Sequence, residues 1–462
     1  MGKYFGTDGF RGEVNVALTA QHAFSIGRFL PWYYGEQKRR LGDASGVRVV
    51  IGKDTRRSGD MLQSALVAGL LASGADVDLM CVTTTPSVAY AARQGRYDCG
   101  VMITASHNPY YDNGIKLLNA DGEKIEDAVE EMAEAYLDGR LVHSGQPCAH
   151  LPYATREMVG VVREADAQKN AYRAHLLACA PTSLRGYRIG LDCANGSASA
   201  FAKDIFDALG AKTYAIHTAP DGLNINRNAG STHIESLQRL VKEHGLDIGF
   251  AYDGDADRCL CVDEKGNVLT GDHILYACGT YLHACGALRG DGVVATVMSN
   301  MGLLQSLGKQ GIACVQTAVG DKFVYEAMRR DGYVLGGEQS GHIVFGDLAT
   351  TGDGILTSLK LMELMIAQKQ PASAIAAAYQ PYPQLLRNLL VSDKQAVAED
   401  DDVRAAVEQA NAALGERGRV VLRVSGTEPL LRLMVEAQNA ADCQIYQEQL
   451  VQLLTQKGYL RA

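Results

Sequence analysis

The chain has 462 residues, of which 47% are hydrophobic and 21% charged, and its formal net charge is −9. That length exceeds what one hydrophobic core supports and points to three or four domains. The acidic balance, with no dense Lys/Arg tract, argues against nucleic-acid or membrane-surface binding, so any anionic ligand needs a local positive cleft.

The opening "MGKYFGTDGFRG" has no apolar signal core, no uninterrupted apolar run approaches membrane length, and Gly6 breaks a myristoylation pattern despite Gly2. Eleven cysteines lie scattered without a C-x-x-C pair and read as reduced thiols, Cys259 and Cys261 sharing one strand face. The expectation is a soluble cytoplasmic protein; a homodimer is compatible with the sequence. Trp32 and the run Lys38 to Arg40 read as a packed aromatic and a solvated helix face.

The first patterned segment is "VRVVIGKDTRRSGDMLQSALVAGLLASGADVDLMCV", a strand, a polar loop, a helix and a second strand. Met61, Leu62, Ala65, Leu66 and Gly69 follow the helical period, and Gly74 stands where a helix end wants positive φ. A further buried strand, "CGVMI", runs into "TASHNPYYDNGIK", a proline-broken loop with Ser106, His107 and Lys116. Carboxyl ends of strands in open α/β sheets are where ligands bind, so Ser106 is a candidate reacting group. A Ser-His hydrolase is a weak reading, because adjacent side chains seldom align for proton transfer and no G-x-S-x-G elbow surrounds the serine.

The same unit recurs in "GYRIGLDCANGSASAFAKDIFDALGAKTYAIH", followed by the strand and loop "IGFAYDGDADR". Asp253, Asp255 and Asp257 alternate there with Gly254 and Ala256, small residues that let a tight turn aim several carboxylates at one point. Such crowding calls for a hard divalent cation, Mg²⁺, since three unpaired carboxylates would repel one another and take up protons. An EF-hand is excluded because "DGDADRCLCVDE" turns apolar where ligands should continue. If Ser106 carries a phosphoryl group that this cation neutralises, the serine loop and the acidic turn are halves of one device.

A third copy, "GVVATVMSNMGLLQSLGKQGIACVQTAV", leads to "YVLGGEQSGHI". Here Glu338 and Ser340, a carboxylate beside a hydroxyl, suit neighbouring sugar hydroxyls, whereas His342 is as well explained as a structural hydrogen-bonder as a ligand contact. After "AQKQPASA" the pattern changes to a helix at about Asp401 to Leu414, two strands in "RVVLRVSGTEPLLRLMVEA" and a helix at about Ala441 to Lys457. Arg423, Ser425, Gly426 and Thr427, with Arg432 beyond, offer guanidinium, hydroxyl and bare backbone N–H groups, a phosphate cradle. No G-x-x-x-x-G-K-[ST] accompanies it, which disfavours nucleoside triphosphates.

The expected fold is therefore α/β: three similar βαβ-built domains around a central cleft, at residues 1–152, 153–258 and 259–371, plus a C-terminal α+β domain at 372–462. In this order "FGTDGFRG", "TASHNPYYDNGIK", "DGDADR", "GGEQSGH" and "RVSGTEPLLR" span all four, and the sequence resembles the α-D-phosphohexomutases. The resemblance implies an intramolecular phosphotransferase that moves a phosphoryl group between carbons 6 and 1 of a hexose phosphate. It implies a phosphoserine at Ser106, Mg²⁺ held by that phosphate with Asp253, Asp255 and Asp257, and Arg258 beside them. Arg11, His107 and Lys116 would surround the reacting hydroxyl, Arg11 and Lys116 being the candidates for proton transfer or charge stabilisation. Glu338, Ser340 and His342 would contact the sugar, and Arg423, Ser425, Gly426, Thr427 and Arg432 its distal phosphate. "GTDGFRG", "YYDNGIK", "DGLNIN" and Gln339 look most like the family's amino-sugar branch, which makes a hexosamine phosphate the expected substrate and glucosamine or glucose 1,6-bisphosphate the activator. Phe10, Val424 and "LLNADGEKI" depart from the usual pattern without removing a polar group. A metal-dependent phosphatase would share the serine and carboxylates but release inorganic phosphate steadily.

Overall fold

Three of the sheets repeat one strand order, which is the expected βαβ repeat seen in three dimensions. In this computed structural model, which describes residues 2–6, 8–94, 96–148, 150–424 and 430–460, the strand Arg48–Lys53 lies between two parallel neighbours. These are Asp76–Val82 and Cys99–Ile103, and Asp112–Asn119 then closes antiparallel on Cys99–Ile103. Arg188–Asp192 is likewise flanked by Lys212–Ile216 and Ile248–Tyr252, with Cys259–Asp263 antiparallel beside the latter. Gly292–Thr296 is flanked by Ala313–Thr317 and Leu335–Gly337, with Ile343–Phe345 antiparallel. In every copy the chain reversal from third to fourth strand is one of the loops singled out above.

The first sheet is longest, because the hairpin Phe5–Gly6 and Gly9–Glu13 extends it beyond Asp112–Asn119 and Val162–Glu164 adds to its other edge. Its strands are apolar on both faces, and Val49, Ile51, Val101 and Ile103 are fully buried, as expected for parallel strands covered by helices. The helices Ala20–Arg40 and Gly59–Ala72 cover one face by approaching closely at glycines. A Cβ on Gly27 would lie 2.2 Å from the Leu66 carbonyl oxygen, and one on Gly69 as near to that of Phe24. The helix Gly59–Ala72 ends where expected, with Gly74 at φ +85°.

The chain divides into two compact units, the larger running to Met298 and taking in Gly311–Ala377, the smaller comprising Ser299–Gln310 and residues from Ala378 onward. Two expected domain boundaries differ from this arrangement. The second sheet continues past residue 258, because the edge of Ile248–Tyr252 needs a hydrogen-bonding partner and finds it in Cys259–Asp263, itself paired with Val268–Leu269. Residues 372–377 stay with the larger unit: Ala372 is fully buried, and the Ser373 amide donates to Glu264 Oε2 at 3.0 Å.

The smaller unit has its own three-stranded antiparallel sheet, with Leu430–Ala437 between Gln384–Leu390 and Gly418–Val424. The helices Asp401–Leu414 and Ala440–Gln456 fall where the pattern put them, and Val403, Leu433, Val435 and Leu454 form the core. The helix Met301–Gly308 also belongs here. Its first amide donates to buried Glu436 at 2.9 Å, a carboxylate set at a helix N-terminus and paired with Arg419.

Candidate active site

Ser106 sits at φ +52°, a left-handed conformation that turns its side chain out of the loop after Cys99–Ile103. Its Oγ donates to Asp253 Oδ2 at 2.6 Å, and both residues are buried. The serine of the first sheet and the acidic turn of the second thus meet directly. Gly254 permits the approach, since a Cβ there would lie 2.5 Å from the Ser106 carbonyl oxygen. Ala256, at φ +58°, completes the tight turn.

Asp253, Asp255 and Asp257 bring carboxylate oxygens within 4.8 Å of one another, and all three are buried. Lys116 reaches them from the strand Asp112–Asn119, its ammonium 2.7 Å from Asp255 Oδ2 and 2.9 Å from Asp257 Oδ2. Thr85, at the start of the helix Thr85–Ala92, also donates to Asp255 Oδ2. One cation does not satisfy three carboxylates. Burial, and then Asp257 and Asp255, raise the Asp253 carboxyl well above the usual carboxylate range. For Asp257 burial acts the same way, but Lys116 and His342 override it and hold the group well below that range. Lys116 responds in kind: burial opposes its charge, yet Asp255 and Asp257 keep the ammonium protonated above its ordinary value. Asp255 Oδ1 and Asp257 Oδ1 are buried with no hydrogen-bond partner. An all-oxygen donor set with two orphaned carboxylate oxygens fits a hard divalent cation.

His107 Nδ1 is 3.4 Å from Ser106 Oγ and accepts from Arg258 Nη1 at 3.0 Å. Burial, with the Arg258 and Arg11 guanidinium groups, pushes this imidazole down to about 4, so it is neutral at physiological pH. Arg11 lies 3.5 Å from Asp8, and its Nε is buried without a partner. Asp8 continues 3.4 Å to Lys124, which pairs with Asp321. Ser340 Oγ donates to Glu338 Oε2 at 3.3 Å, and the Gly320 amide donates to Oε1 at 3.1 Å.

His342 is only 2% exposed. Its Nε2 accepts from the Gly352 amide at 2.9 Å while Nδ1 faces Asp257 at 3.8 Å, and the residue also lines a cavity beside Lys116. This cavity, of about 310 Å³, has Thr85, Lys124, Asp321 and Tyr325 among its other lining residues. In the smaller unit Arg423 and Arg432 stand directly opposite each other on paired strands, on one face of the sheet and exposed. Ser425, Gly426 and Thr427 lie outside the described residues.

Sequence reasoning missed Thr85, Asp8, Lys124 and Asp321. "TTTP" is the available signal for Thr85, which stands between the capping Thr84 and Pro86 at the opening of a helix. The others become site residues only because distant loops meet.

Comparison with known families matches residues 2–140 to phosphoglucomutase/phosphomannomutase alpha/beta/alpha domain I, 170–266 to domain II, 270–382 to domain III and 386–453 to the C-terminal domain. A relative from Lachnospira eligens, "Phosphoglucosamine mutase", is 56% identical over 459 residues, 99% of this chain and 100% of its own length. The crystal structure of a phosphoglucomutase/phosphomannomutase family protein from Burkholderia thailandensis superposes with a TM-score of 0.79 at 25% identity, covering 98% of this chain and 96% of that one. Aspergillus fumigatus N-acetylphosphoglucosamine mutase, solved in complex with GlcNAc-6P and magnesium, shares the fold with a TM-score of 0.65 at 18% identity, covering 97% and 94%.

Proposed function

The chain belongs to the phosphoglucomutase/phosphomannomutase family, and from that premise we propose that it is a phosphoglucosamine mutase, interconverting glucosamine 6-phosphate and glucosamine 1-phosphate through a phosphoserine at Ser106. The observation that carries this reading is the 2.6 Å contact between Ser106 Oγ and Asp253 Oδ2. A phosphoryl group and a cation shared there would account for a hydroxyl and an acidic trio from two different sheets meeting in a buried pocket.

A single phosphoserine cannot move a phosphate from carbon 6 to carbon 1 in one step, so the sugar must turn. In the first half-reaction a sugar hydroxyl attacks the phosphorus on Ser106. The Oγ–P bond breaks, a sugar O–P bond forms, and the hydroxyl proton passes, overall, to Ser106 Oγ. The resulting 1,6-bisphosphate reorients, Ser106 Oγ attacks its other phosphorus, that sugar O–P bond breaks as the Oγ–P bond forms, and the serine proton passes, overall, to the sugar oxygen so released. Magnesium held by Asp253, Asp255 and Asp257, with the serine phosphate, would offset charge on the moving group.

The chain's own residues do the positioning. Lys116, protonated and paired with Asp255 and Asp257, has no lone pair to act as base and serves as a fixed positive charge. The His107 and Arg258 pair would hold a guanidinium edge toward the phosphoserine, and Arg11 would stabilise charge at the sugar oxygen. Glu338 and Ser340 would bind sugar hydroxyls, and Arg423, Ser425, Gly426, Thr427 and Arg432 the distal phosphate. Glucosamine or glucose 1,6-bisphosphate would recharge an enzyme that has lost its serine phosphate.

The test is a substrate panel of glucosamine, glucose and mannose phosphates with a bisphosphate activator, combined with intact-protein mass spectrometry mapping phosphate to Ser106. Fastest turnover on the glucosamine esters is expected. Preference for mannose or glucose esters would reassign the substrate, and steady release of inorganic phosphate without a bisphosphate requirement would make the protein a phosphatase.

A further inference from the structure

Arg56 is among the largest side chains in the molecule, carries a permanent charge, and is 2% exposed. It follows the strand Arg48–Lys53, pairs with Asp54 through Nε and turns both terminal nitrogens of its guanidinium to the Ser106 loop. Nε donates to Asp54 Oδ2 at 2.8 Å. Nη2 donates to the carbonyl oxygens of Ser106 at 2.8 Å and Asn108 at 2.9 Å, and Nη1 to those of Pro109 and, at 3.0 Å, Asp112.

The other backbone group of Ser106 leads to the same ion pair. Its amide donates to Thr104 Oγ1 at 2.9 Å, and that hydroxyl donates to Asp54 Oδ2 at 2.7 Å. Asn226, from the segment of the second domain that precedes its acidic turn, adds a second clamp on the same acceptors, donating to Ser106 O at 2.8 Å and Asn108 O at 3.1 Å. Both backbone groups of the reacting serine are thus tied to one buried pair, and its carbonyl is held from two domains at once.

This explains how Ser106 keeps a left-handed φ that an L-residue adopts only at a cost. It also explains why the pair is charged. An apolar replacement of a buried ion pair is commonly neutral for stability, but no apolar group could gather four diverging carbonyls, and a lysine has neither the span nor the planar fork to do so. We propose that Arg56, held by Asp54 and assisted by Asn226, is a positioning residue that aims Ser106 Oγ at the acidic turn, so that phosphoryl transfer to and from the serine depends on it although it touches neither substrate nor phosphate. The inference rests on the mutase reading above.

The experiment uses full-length Arg56→Lys and Asn226→Asp beside wild type. Asn226→Asp keeps a side chain that tolerates the left-handed φ of +59° but removes the donor, and it stands outside the first domain's core, so it decides the question if Arg56→Lys fails to fold. Three quantities are read: affinity of the dephosphorylated protein for glucosamine 6-phosphate by calorimetry, the single-turnover rate of Ser106 phosphorylation from glucose 1,6-bisphosphate by quenched-flow mass spectrometry, and kcat. A misplaced serine should slow phosphorylation and kcat about 100-fold in Arg56→Lys and about tenfold in Asn226→Asp, with affinity within about twofold of wild type. Folded variants with wild-type phosphorylation rates would overturn the proposal, as would parallel losses of rate and affinity, which mark a merely structural role. Wild type that never acquires phosphate on Ser106 would instead overturn the mutase reading and this inference with it.

Discussion

Lys116→Met separates the electrostatics of the acidic turn from its chemistry. Methionine keeps the unbranched stem but removes the one ammonium that pairs with both Asp255 and Asp257, at a position 4% exposed. Removing one partner of a buried ion pair leaves an uncompensated charge and costs about 3–5 kcal/mol. With Asp255 Oδ1 and Asp257 Oδ1 already orphaned, the variant should be destabilised by that order in metal-free buffer. A cation that binds only the folded protein returns stability, about 2.7 kcal/mol at one hundred times its Kd. Because the variant's carboxylates have lost their competing cation, magnesium should stabilise it more than it stabilises wild type, while turnover still falls. The assay is thermal unfolding of both proteins in EDTA and across a magnesium titration, with calorimetric magnesium affinities. Equal magnesium increments in the two proteins, or a metal-free variant as stable as wild type, would show that Lys116 is not holding the place of a metal charge.

Ser106→Ala should lower kcat by at least roughly a thousandfold while calorimetric binding of glucosamine 6-phosphate persists, and intact mass should show no phosphate; near-normal turnover would remove the phosphoserine role. Asp255→Asn should weaken the magnesium requirement and the rate together, so an unchanged metal titration would count against the acidic turn as ligand. A pH effect is expected away from the site, at His273. Its Nδ1 accepts from the Thr270 amide at 3.2 Å and completes the cap of the helix Gly271–Ala284, and burial pushes its pKa down to about 4. The unfolded chain takes up this proton near pH 6.5 and the folded one only near 4, so stability is full above about 6.5 and falls by up to about 3 kcal/mol toward pH 4. His273→Gln should flatten that part of the pH–stability curve, and an unchanged curve would show that the cap does not titrate.

Much of this molecule is legible in its sequence because the βαβ unit writes itself as apolar run, periodic helix and glycine stop, three times over. The three loops could be ranked as sites for the same reason, each following a buried strand. What was not legible depends on tertiary contact. The strand Gln384–Leu390 exposes Leu385, Leu386 and Leu390 and buries little, so its pattern lacks the alternation that announces a strand. "GKDTRRSG" reads as a charged surface loop, and only the folded chain reveals that Asp54 and Arg56 are buried against the carbonyls of residues 106–112. A boundary at residue 258 follows the end of the motif "DGDADR", whereas the edge of Ile248–Tyr252 pairs with the next strand, Cys259–Asp263.

The charges of the pocket explain why its serine and its carboxylates must act together. Lys116 pairs with buried Asp255 and Asp257, and burial together with those two carboxylates raises the carboxyl of Asp253, the member that accepts from Ser106. A divalent cation would balance the carboxylates that Lys116 leaves unpaired, and a serine phosphate without it would crowd the aspartates. Brought in together they nearly cancel, since a phosphoserine carries close to −2 at neutral pH. On the mutase reading the pocket would suit a phosphate and a cation bound together, which would account for joining the loop of one sheet to the turn of another. On that reading a phosphoryl group leaving Ser106 for a sugar would stay beside the same fixed charges, so little reorganisation would accompany transfer. On the mutase reading, specificity for the sugar would rest with Glu338 and Ser340 on a third loop, and because Glu338 also acts on the charges of Arg258 and His342, replacing it would alter the field around the serine as well.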